Sequence, residues 1–551
     1  MAHRIGSARV TPPVLFHGGS IHTFARAGTV PALLVEGERV AAVGTLDDCR
    51  RAATATPREH DLAGRTLLPG FVDAHVHPLL LGDALSGVDL SGARSLDDIV
   101  RLLRTHAERD PDAATVTGYG YDQSKLAEGR HPSRTELDAV SGERPVRIQH
   151  ASGHGYAVNT VVLRTCGIDA DTPTPSGGRI DRDDDGEPTG VVFDSACDLL
   201  TGPDGVKVAN HGPNFHLPLD DSEARRQLAL GQRALLAAGI TSACDAQVTG
   251  REMRAYLAAR DSGDLAVRVH ALVLSSGLPH LEQLGLGGGL GDDRLELLGV
   301  KLYADGSVIA RTAYLSHACC DDPAPSGYLY HDPDELASLI VAAHRLGLPT
   351  ATHAQGDVPI QIVLDAVARA QEERRRPGLT HRIEHCGFPT STQIARMAEL
   401  GVVPVPQPMQ VTLYGDSLLA EYGDDGGRFY PMSEFADAGL PLVVSSDGPV
   451  TTPDPLRAAA VAVTRRTLDG QTAGGRTDAG PRQGIAAQAA LRGITATPAR
   501  LLRCNDVGDL AVGRLADLVV LDADPTTGGA DALDTATVDE TWVGGARVYR
   551  R

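Results

Sequence analysis

Two histidines separated by one residue, His75 and His77, follow the Leu-Leu-Pro-Gly turn at residues 67–70. Alternate side chains of a β-strand point to the same face, so this spacing predicts that the two imidazoles converge on one point. Neutral imidazole nitrogens are good ligands for zinc, iron and other transition metals. The motif by itself is also compatible with a pair of packed or solvated histidines, because short motifs occur by chance.

Further residues of metal-binding types lie at the ends of later strand-like runs of the chain. In a parallel α/β barrel the carboxyl ends of all strands meet at one end, where such barrels keep their active sites. The order His-x-His, Lys, His, His, Asp therefore predicts one metal site at that end. The six residues at these strand ends are His75, His77, Lys301, His353, His385 and Asp447.

The apolar runs that carry these residues alternate with helical stretches, as is typical of a parallel α/β barrel. Ten candidate strands follow Gly70, whereas a closed barrel of this type holds eight. The two surplus strands, which end near Gly118 and His150, lie close to a segment rich in Gly, Pro and Asp at residues 170–190. The barrel strands are then expected to end near His75, Cys244, Leu274, Tyr303, His353, His385, Pro406 and Ser446.

Both ends of the chain carry short β-rich runs with glycine-containing turns, at residues 14–44 and 509–549. This pattern predicts small antiparallel sheets, and we expect the two termini to build one β-sandwich together. The predicted fold is α/β, a (β/α)8 TIM-type barrel with an insertion after barrel strand 1. The predicted limits are 70–504 for the barrel, 85–219 for the insertion, and 1–69 plus 505–551 for the β-sandwich domain.

The overall charge restricts the kinds of partner. The chain has 51 Lys and Arg against 71 Asp and Glu, a net charge of −20, which argues against nucleic acid or an anionic membrane as partner. No long apolar run or signal-peptide segment is found, and the eight cysteines include no Cys-x-x-Cys pair. We therefore expect a cytoplasmic protein that acts on a small molecule, with a homo-oligomer as a possible assembly.

The sequence resembles the amidohydrolase superfamily, whose signature is His-x-His, Lys, His, His and Asp on barrel strands one, four, five, six and eight. The Lys-x-x-x-Asp-Gly-Ser run at 301–307 and the Ser-Gly-His run at 152–154 are similar to the subgroup that includes N-substituted formamide deformylases. The resemblance covers nearly the whole chain. It implies a metal-dependent hydrolase of carbon–nitrogen bonds other than peptide bonds, which releases an amine from a small N-formyl or N-acyl amide. The other interpretations are a cyclic-amide hydrolase or deaminase on the same scaffold, and a non-catalytic binding protein.

The expected cofactor is a divalent metal, zinc before iron or manganese, with one or two ions per chain. A bound metal lowers the pKa of water from about 16 to about 7, which supplies hydroxide at neutral pH. Asp447 is expected to bind the metal, to take the proton of the attacking water and to hand it to the leaving nitrogen. His154 is a candidate donor to the carbonyl oxygen of the substrate.

Lys301 needs separate treatment because an ammonium group cannot ligate a cation. In relatives with this signature the lysine is carboxylated and bridges two metals, so the resemblance implies N6-carboxylysine at Lys301. The reaction with carbon dioxide needs the neutral amine, which two nearby cations favour. The alternative is an ordinary lysine paired with Asp305 or Asp447 beside a single metal. The bridge is preferred partly because lysine persists here in a chain with only two others, Lys125 and Lys207.

Four residues are candidate substrate contacts, since the insertion follows barrel strand 1 directly and is expected to fold over the barrel mouth. They are Tyr121, Asp122, His154 and Arg311. Two neighbours of the predicted ligand His385, Glu384 and Cys386, are expected on the opposite face of their strand. We therefore place both outside the predicted metal site.

Overall fold

The computed structural model describes residues 12–111, 113–202, 205–214, 220–316, 327–477 and 480–551. In these ranges, seven parallel strands form the central barrel, numbered barrel strands 1 to 7 in chain order, and each pairs with the next. Their bounds are Phe71–Val76, Ile240–Val248, Arg268–Leu274, Leu295–Tyr303, Thr350–Ala354, Arg382–His385 and Val403–Val405. A short strand, Leu290–Gly291, pairs antiparallel with barrel strand 4.

The eighth position of the barrel differs from the prediction. Residues 441–447 form no regular strand, so the expected strand ending near Ser446 is wrong as secondary structure. The segment nevertheless lies beside barrel strand 1, because the Asp447 N–H donates to the His75 carbonyl at 2.7 Å. The barrel is therefore nearly closed, with seven strands and one irregular segment.

The composition of the neighbouring strand explains why no ladder forms there. Pro404 and Pro406 lie on the strand 7 side and have no N–H group to donate to a neighbour. Ser445 contacts the segment after that strand, where its N–H and its hydroxyl donate to the Pro406 carbonyl at 3.3 and 3.0 Å. On the other side, a carboxylate oxygen of Asp73 accepts the N–H of Ser446 at 3.2 Å in place of a backbone carbonyl.

Helices follow the barrel strands and bury an apolar face against them. Thr249 and Thr390 begin two of these helices, each in a capping box with the residue three positions later, Glu252 and Gln393 respectively. The barrel helices are Pro78–Ser86, Asp221–Ala237, Gly250–Ser262, Leu278–Leu284, Pro333–Leu346, Asp357–Glu373, Ser391–Leu400, Met409–Gly427, Met432–Asp437, Pro455–Thr464, Ala487–Gly493 and Ala496–Leu501. A small hairpin, Arg476–Thr477 with Gly480–Pro481, follows the helix that ends at Thr464.

Between barrel strands 1 and 2 the chain forms a second, six-stranded sheet. The two surplus strands of the sequence pattern, which end at Tyr121 and His150, pair with each other in this sheet. The end of the predicted insertion, residues 215–219, lies outside the described residues. The strands are Val88–Asp89, Val116–Tyr121, Val146–His150, Gly155–Val158, Gly178–Arg182 and Pro188–Asp194, and the helices are Leu96–Arg109, Arg134–Asp138 and Thr160–Cys166, with 3-10 turns at Gln123–Lys125, Ser195–Thr201 and Ala209–His211.

Strands from both ends of the chain pair within one sheet. Leu518–Leu521 pairs antiparallel with Thr66–Pro69, which joins the two ends. Arg268 of barrel strand 3 binds Asp517, with Nε 2.7 Å from Oδ2, and attaches this sheet to the barrel. The sandwich arrangement and the domain limits stay predictions. The strands are Val14–His22, Thr29–Glu36, Arg39–Gly44, Arg58–Asp61, Thr66–Pro69, Leu518–Leu521, Val538–Val543 and Ala546–Arg550, and the helices are Leu46–Ala52 and Gly529–Thr535.

Over the described ranges, none of the helices combines the length and the apolar character needed to cross a bilayer.

Candidate metal centre

Three predicted ligands meet in the mouth of the barrel. His75, His77 and Asp447 are buried, and each offers a ligand atom within 4.8 Å of the others. Asp447 Oδ1 lies 3.3 Å from His75 Nε2 and 3.4 Å from His77 Nε2. The convergence of the two imidazoles that the His-x-His spacing predicts is therefore found. The irregular eighth segment adds Asp447 to the group.

Carboxylates hold the far ring nitrogens of these two histidines. His75 Nδ1 lies 2.5 Å from Glu384 Oε2, and His77 Nδ1 lies 3.4 Å from Asp245 Oδ1. The Tyr256 hydroxyl donates to the second oxygen of Asp245 at 2.6 Å. Carboxylates in this position set the tautomer and the orientation of metal-binding imidazoles. Both Nε2 atoms are thereby directed to the side of Asp447.

Asp447 is ionised in this setting. Burial by itself raises the pKa of its carboxyl group, but the charge of His75 and the hydrogen bonds from His75 and His77 hold that pKa well below its usual range. The Gln410 side-chain amide lies 3.4 Å from Oδ2, the oxygen that faces away from the two histidines. An ionised carboxylate is the form that can bind a cation or accept a proton from water.

Glu384 does not follow the expectation that it lies on the face opposite to His385. His385 has a φ of 66°, which interrupts the strand geometry, so both side chains reach the barrel interior. Buried Arg382 donates to both oxygens of Glu384, at 2.7 Å for Oε2, and to the Ala74 carbonyl at 2.6 Å. Burial raises the pKa of Glu384, yet Arg382 and His75 hold it below its usual range.

The relay Arg382–Glu384–His75 was therefore missed by reasoning from the strand pattern. The available signal was the Arg-x-Glu spacing at residues 382–384, which places two charged side chains on one face of a buried strand. Charged residues at fully buried positions are almost always paired. The partner of such a pair, however, is a residue far away in sequence.

The two remaining histidines lie against this group. The His385 ring centroid is 5.1 Å from that of His75 and 4.3 Å from that of His353. His385 Nδ1 lies 2.7 Å from the side-chain oxygen of Gln407, and His353 Nε2 donates to the Gly306 carbonyl at 2.9 Å. Burial lowers the pKa of His385 to about 3 and holds that of His353 well below its usual range. Both rings are thus neutral, as metal ligands must be.

Lys301 is fully buried, and in the described part of the chain its Nζ has no hydrogen-bond partner. Nζ lies 4.5 Å from the centroid of the Tyr303 ring. Neither Asp305 nor Asp447 hydrogen-bonds to it, so the simple lysine–aspartate pair is not formed. Burial lowers the pKa of Lys301 to about 8, which makes the neutral amine accessible. A buried amine without a hydrogen-bond partner, close enough to His353, His385 and Asp447 to interact with them electrostatically, fits a group that completes a metal site.

The Asp-Gly-Ser run at residues 305–307, which follows Lys301, has a structural role in this chain. Asp305 accepts the N–H of Gly356 at 3.0 Å, which ties the loop after barrel strand 4 to the loop after barrel strand 5. A Cβ on Gly306 would lie 2.1 Å from Thr312 Oγ1, so a larger residue does not fit there. The Gly306 carbonyl in turn holds His353 Nε2. The run therefore positions His353 as well as carrying Lys301.

His154 of the insertion lies next to the metal ligands. Its ring centroid is 5.3 Å from that of His353 and 6.3 Å from that of Tyr303, and its side chain is buried. His154 Nδ1 lies 2.6 Å from an oxygen of Asp194. The insertion therefore reaches the barrel mouth with this residue.

The other three candidate substrate contacts are placed differently. Tyr121 lies in the core of the insertion, where its hydroxyl is 3.3 Å from His131 Nδ1. Asp122 begins a 3-10 turn and faces Lys125 Nζ at 3.5 Å. Arg311 lies on the loop after barrel strand 4 with 72% of its side chain exposed. Their roles as substrate contacts stay predictions.

The site combines buried histidines, a carboxylate and a lysine at the carboxyl ends of barrel strands. This combination is typical of metal-dependent hydrolases that have a barrel fold. The sequence profile of the Amidohydrolase family matches residues 58–549, so the chain belongs to the amidohydrolase family. It is a hydrolase that acts on carbon–nitrogen bonds other than peptide bonds.

Known relatives and solved structures resemble almost the whole chain. It is 30% identical over 540 residues to the N-substituted formamide deformylase of Arthrobacter pascens, covering 96% of each protein. A structure of an uncharacterized metal-dependent hydrolase from Pyrococcus horikoshii matches with a TM-score of 0.76 and 27% identity, covering 94% of this chain and 99% of that one. Another such hydrolase, from Pyrococcus furiosus, matches with a TM-score of 0.73 and 27% identity, covering 93% and 99%.

Proposed function

We propose that this enzyme hydrolyses a small N-formyl or N-acyl amide to a carboxylic acid and an amine. The observation that carries the proposal is the convergence of His75, His77 and Asp447 beside the unpartnered amine of Lys301. The similarity over 540 residues to a protein named N-substituted formamide deformylase supports the choice of amide.

The cofactor that we propose is a divalent metal, zinc in the first place and iron or manganese otherwise. Imidazole nitrogens and carboxylate oxygens are suitable ligands for all three ions. We further propose that Lys301 is carboxylated to N6-carboxylysine and bridges two ions, since its amine is buried without a partner. The proposed ligands are His75, His77, Lys301, His353, His385 and Asp447.

A bound metal supplies a nucleophile by lowering the pKa of water to about 7. The Asp447 carboxylate takes the proton of the attacking water and later delivers it to the leaving nitrogen, so that the amine departs neutral. Glu384 and Asp245 hold the Nδ1 atoms of His75 and His77, so the Nε2 atoms face Asp447 and are the atoms that would bind a metal. The deeply buried site excludes bulk water, which strengthens these electrostatic interactions.

The test is a screen of protein loaded with zinc, iron or manganese, combined with metal analysis of the same samples. N-formyl and N-acyl amines are assayed by amine release, cyclic amides by ring opening, and aminated heterocycles by ammonia release. We expect amine release from open-chain amides and two ions per chain. Activity confined to cyclic amides or to deamination would contradict the proposed substrate class, and one ion with no carbon dioxide adduct on Lys301 would contradict the bridge.

We also propose that the enzyme acts in the cytoplasm on a small-molecule substrate, without nucleic acid or membrane as partner. For the fold, we propose that the two termini form a β-sandwich. The net charge of −20 supports the absence of nucleic acid and anionic membrane as partners, and the sheet shared by both termini supports the β-sandwich. Sedimentation of the purified protein tests the homo-oligomer that the sequence leaves open.

A further inference from the structure

The carboxylate of Asp194 is the meeting point of the insertion and the barrel. Asp194 is completely buried, at the end of the last strand of the insertion, with a φ of 56° that is uncommon for a residue other than glycine. Its Oδ1 lies 2.6 Å from His154 Nδ1 and accepts the Tyr330 hydroxyl at 2.6 Å. The Tyr328 hydroxyl donates to Oδ2. Both tyrosines belong to the segment that follows barrel strand 4.

These contacts determine which nitrogen of His154 a substrate can meet. Because Nδ1 and both tyrosine hydroxyls point at one carboxylate, Nδ1 carries a proton and donates it to Asp194, which selects the Nδ1–H tautomer of the ring. Nε2 then carries a lone pair and accepts hydrogen bonds. The backbone reinforces the arrangement, since the Asp194 N–H donates to the His154 carbonyl at 2.7 Å. The His154 ring lies 5.3 Å from that of His353, within the reach of a bound amide.

Backbone strain supports a functional reading of Asp194. Left-handed conformations of residues with a Cβ persist where the surrounding structure enforces them, and they concentrate at functional sites. At Asp194 the surrounding structure contributes three hydrogen bonds to the buried carboxylate, from His154, Tyr328 and Tyr330.

We propose that Asp194 is a positioning residue that holds His154 with Nε2 as an acceptor for the amide N–H of the substrate. The sequence predicts His154 as a donor to the carbonyl oxygen; the hydrogen bond to Asp194 assigns it the opposite role. The enzyme then selects amides that carry an N–H over their N-methylated counterparts. This inference rests on the proposed amide hydrolysis and specifies the substrate within it.

The test compares kcat and KM for an N-monosubstituted formamide and its N-methyl derivative in four metal-loaded proteins. The wild type prefers the N–H substrate by about tenfold or more in kcat/KM, the size of one hydrogen bond. His154→Phe keeps a ring but removes the acceptor, and the preference disappears. Asp194→Asn favours the other tautomer, so that Nε2 no longer accepts, and it lowers kcat/KM for the N–H substrate by about tenfold while kcat/KM for the N-methyl derivative changes little.

The matched control is Asp198→Asn, in the 3-10 turn directly after Asp194. Asp198 accepts backbone N–H groups of Val208 and Ala209 at 2.9 and 2.7 Å and does not hydrogen-bond to His154. This variant retains the preference for the N–H substrate even if its thermal midpoint falls. Asp194→Asn in the His154→Phe background causes no further change in selectivity.

Two results overturn the proposal. The first is that Asp194→Asn keeps the full preference for the N–H substrate. The second is that Asp194→Asn lowers kcat equally in the wild-type and in the His154→Phe background, which shows that Asp194 acts only through folding. A readout independent of turnover separates this inference from the proposed function. In ¹⁵N-histidine NMR spectra, the signal that is lost in His154→Phe shows the proton on Nδ1. A proton on Nε2 refutes the inference, whereas a wild type that hydrolyses no amide refutes the proposed function alone.

Discussion

Substituting Glu384 by glutamine removes the charge at the centre of the Arg382–Glu384–His75 relay while keeping the side-chain volume. Glu384 accepts from two guanidinium nitrogens and from His75 Nδ1, and neither Glu384 nor Arg382 is appreciably exposed. The substitution therefore leaves a buried guanidinium without a compensating charge, and it weakens the acceptor that orients one metal ligand.

Two magnitudes follow from this geometry. Removing one partner of a buried ion pair costs about 3–5 kcal/mol, because the other charge stays buried and unpaired. We expect the free energy of unfolding of the metal-free Glu384→Gln protein to fall by that amount. Losing the carboxylate behind a ligating histidine weakens metal binding by about 10- to 100-fold.

The assay has two parts. Urea unfolding in the presence of a chelator measures stability without the stabilising contribution of bound metal, and competition with a chromophoric chelator measures metal affinity. The matched control is Glu399→Gln, since Glu399 pairs with Arg396 at 2.9 Å on the surface with 65% of its side chain exposed. Exposed pairs contribute about 0–1 kcal/mol, so this control changes neither quantity appreciably.

The double variant Arg382→Met/Glu384→Gln separates the two effects. Removing both charges restores most of the stability, because no uncompensated ion is left in the barrel. Metal affinity stays weakened, since His75 still lacks its carboxylate. The reasoning is refuted if Glu384→Gln behaves like the surface control, or if the double variant recovers its metal affinity together with its stability.

Three further substitutions test other parts of the structure. Asp447→Asn abolishes amine release and leaves the thermal midpoint nearly unchanged; retained turnover would exclude Asp447 as the base. Lys301→Met tests the pKa of about 8: the unfolded lysine titrates near 10.4, so between these values the unfolded state binds more protons. The unfolding free energy of the metal-free wild type therefore rises with pH by up to about 3 kcal/mol relative to Lys301→Met, and a constant difference in urea titrations would contradict it. Arg268→Met leaves Asp517 buried without its partner and costs about 3–5 kcal/mol, which Arg268→Met/Asp517→Asn largely recovers; no loss in the single variant would show that this pair does not join the sheet to the barrel.

The barrel and most of its metal site were readable from the sequence because both depend on local patterns. Strand-like apolar runs alternate with helical stretches, and the side chains that follow the strand ends must meet at one end of a parallel barrel. His75 and His77 need only the alternation of one strand to converge, and the structure places both beside Asp447.

The same alternation rule failed at two places where backbone geometry departs from a regular strand. At His385 a φ of 66° brings Glu384 and His385 into the barrel interior together. At the eighth position the prolines of the neighbouring segment provide no N–H groups, so the predicted strand is an irregular segment. The φ of His385 has no signal in the pattern of apolar residues. Pro404 and Pro406, by contrast, are a visible signal against a regular ladder on their side of the eighth segment.

The sequence by itself indicated the barrel class, the convergence of His75 and His77, and the presence of additional strands between barrel strands 1 and 2. Only the tertiary structure decided which group holds the Nδ1 atom of each of these histidines. Those choices depend on contacts such as His75 with Glu384, 309 residues apart, and His154 with Asp194, 40 residues apart. The direction of an imidazole is set by a hydrogen-bond partner on another element, and no spacing within one strand records where that partner lies.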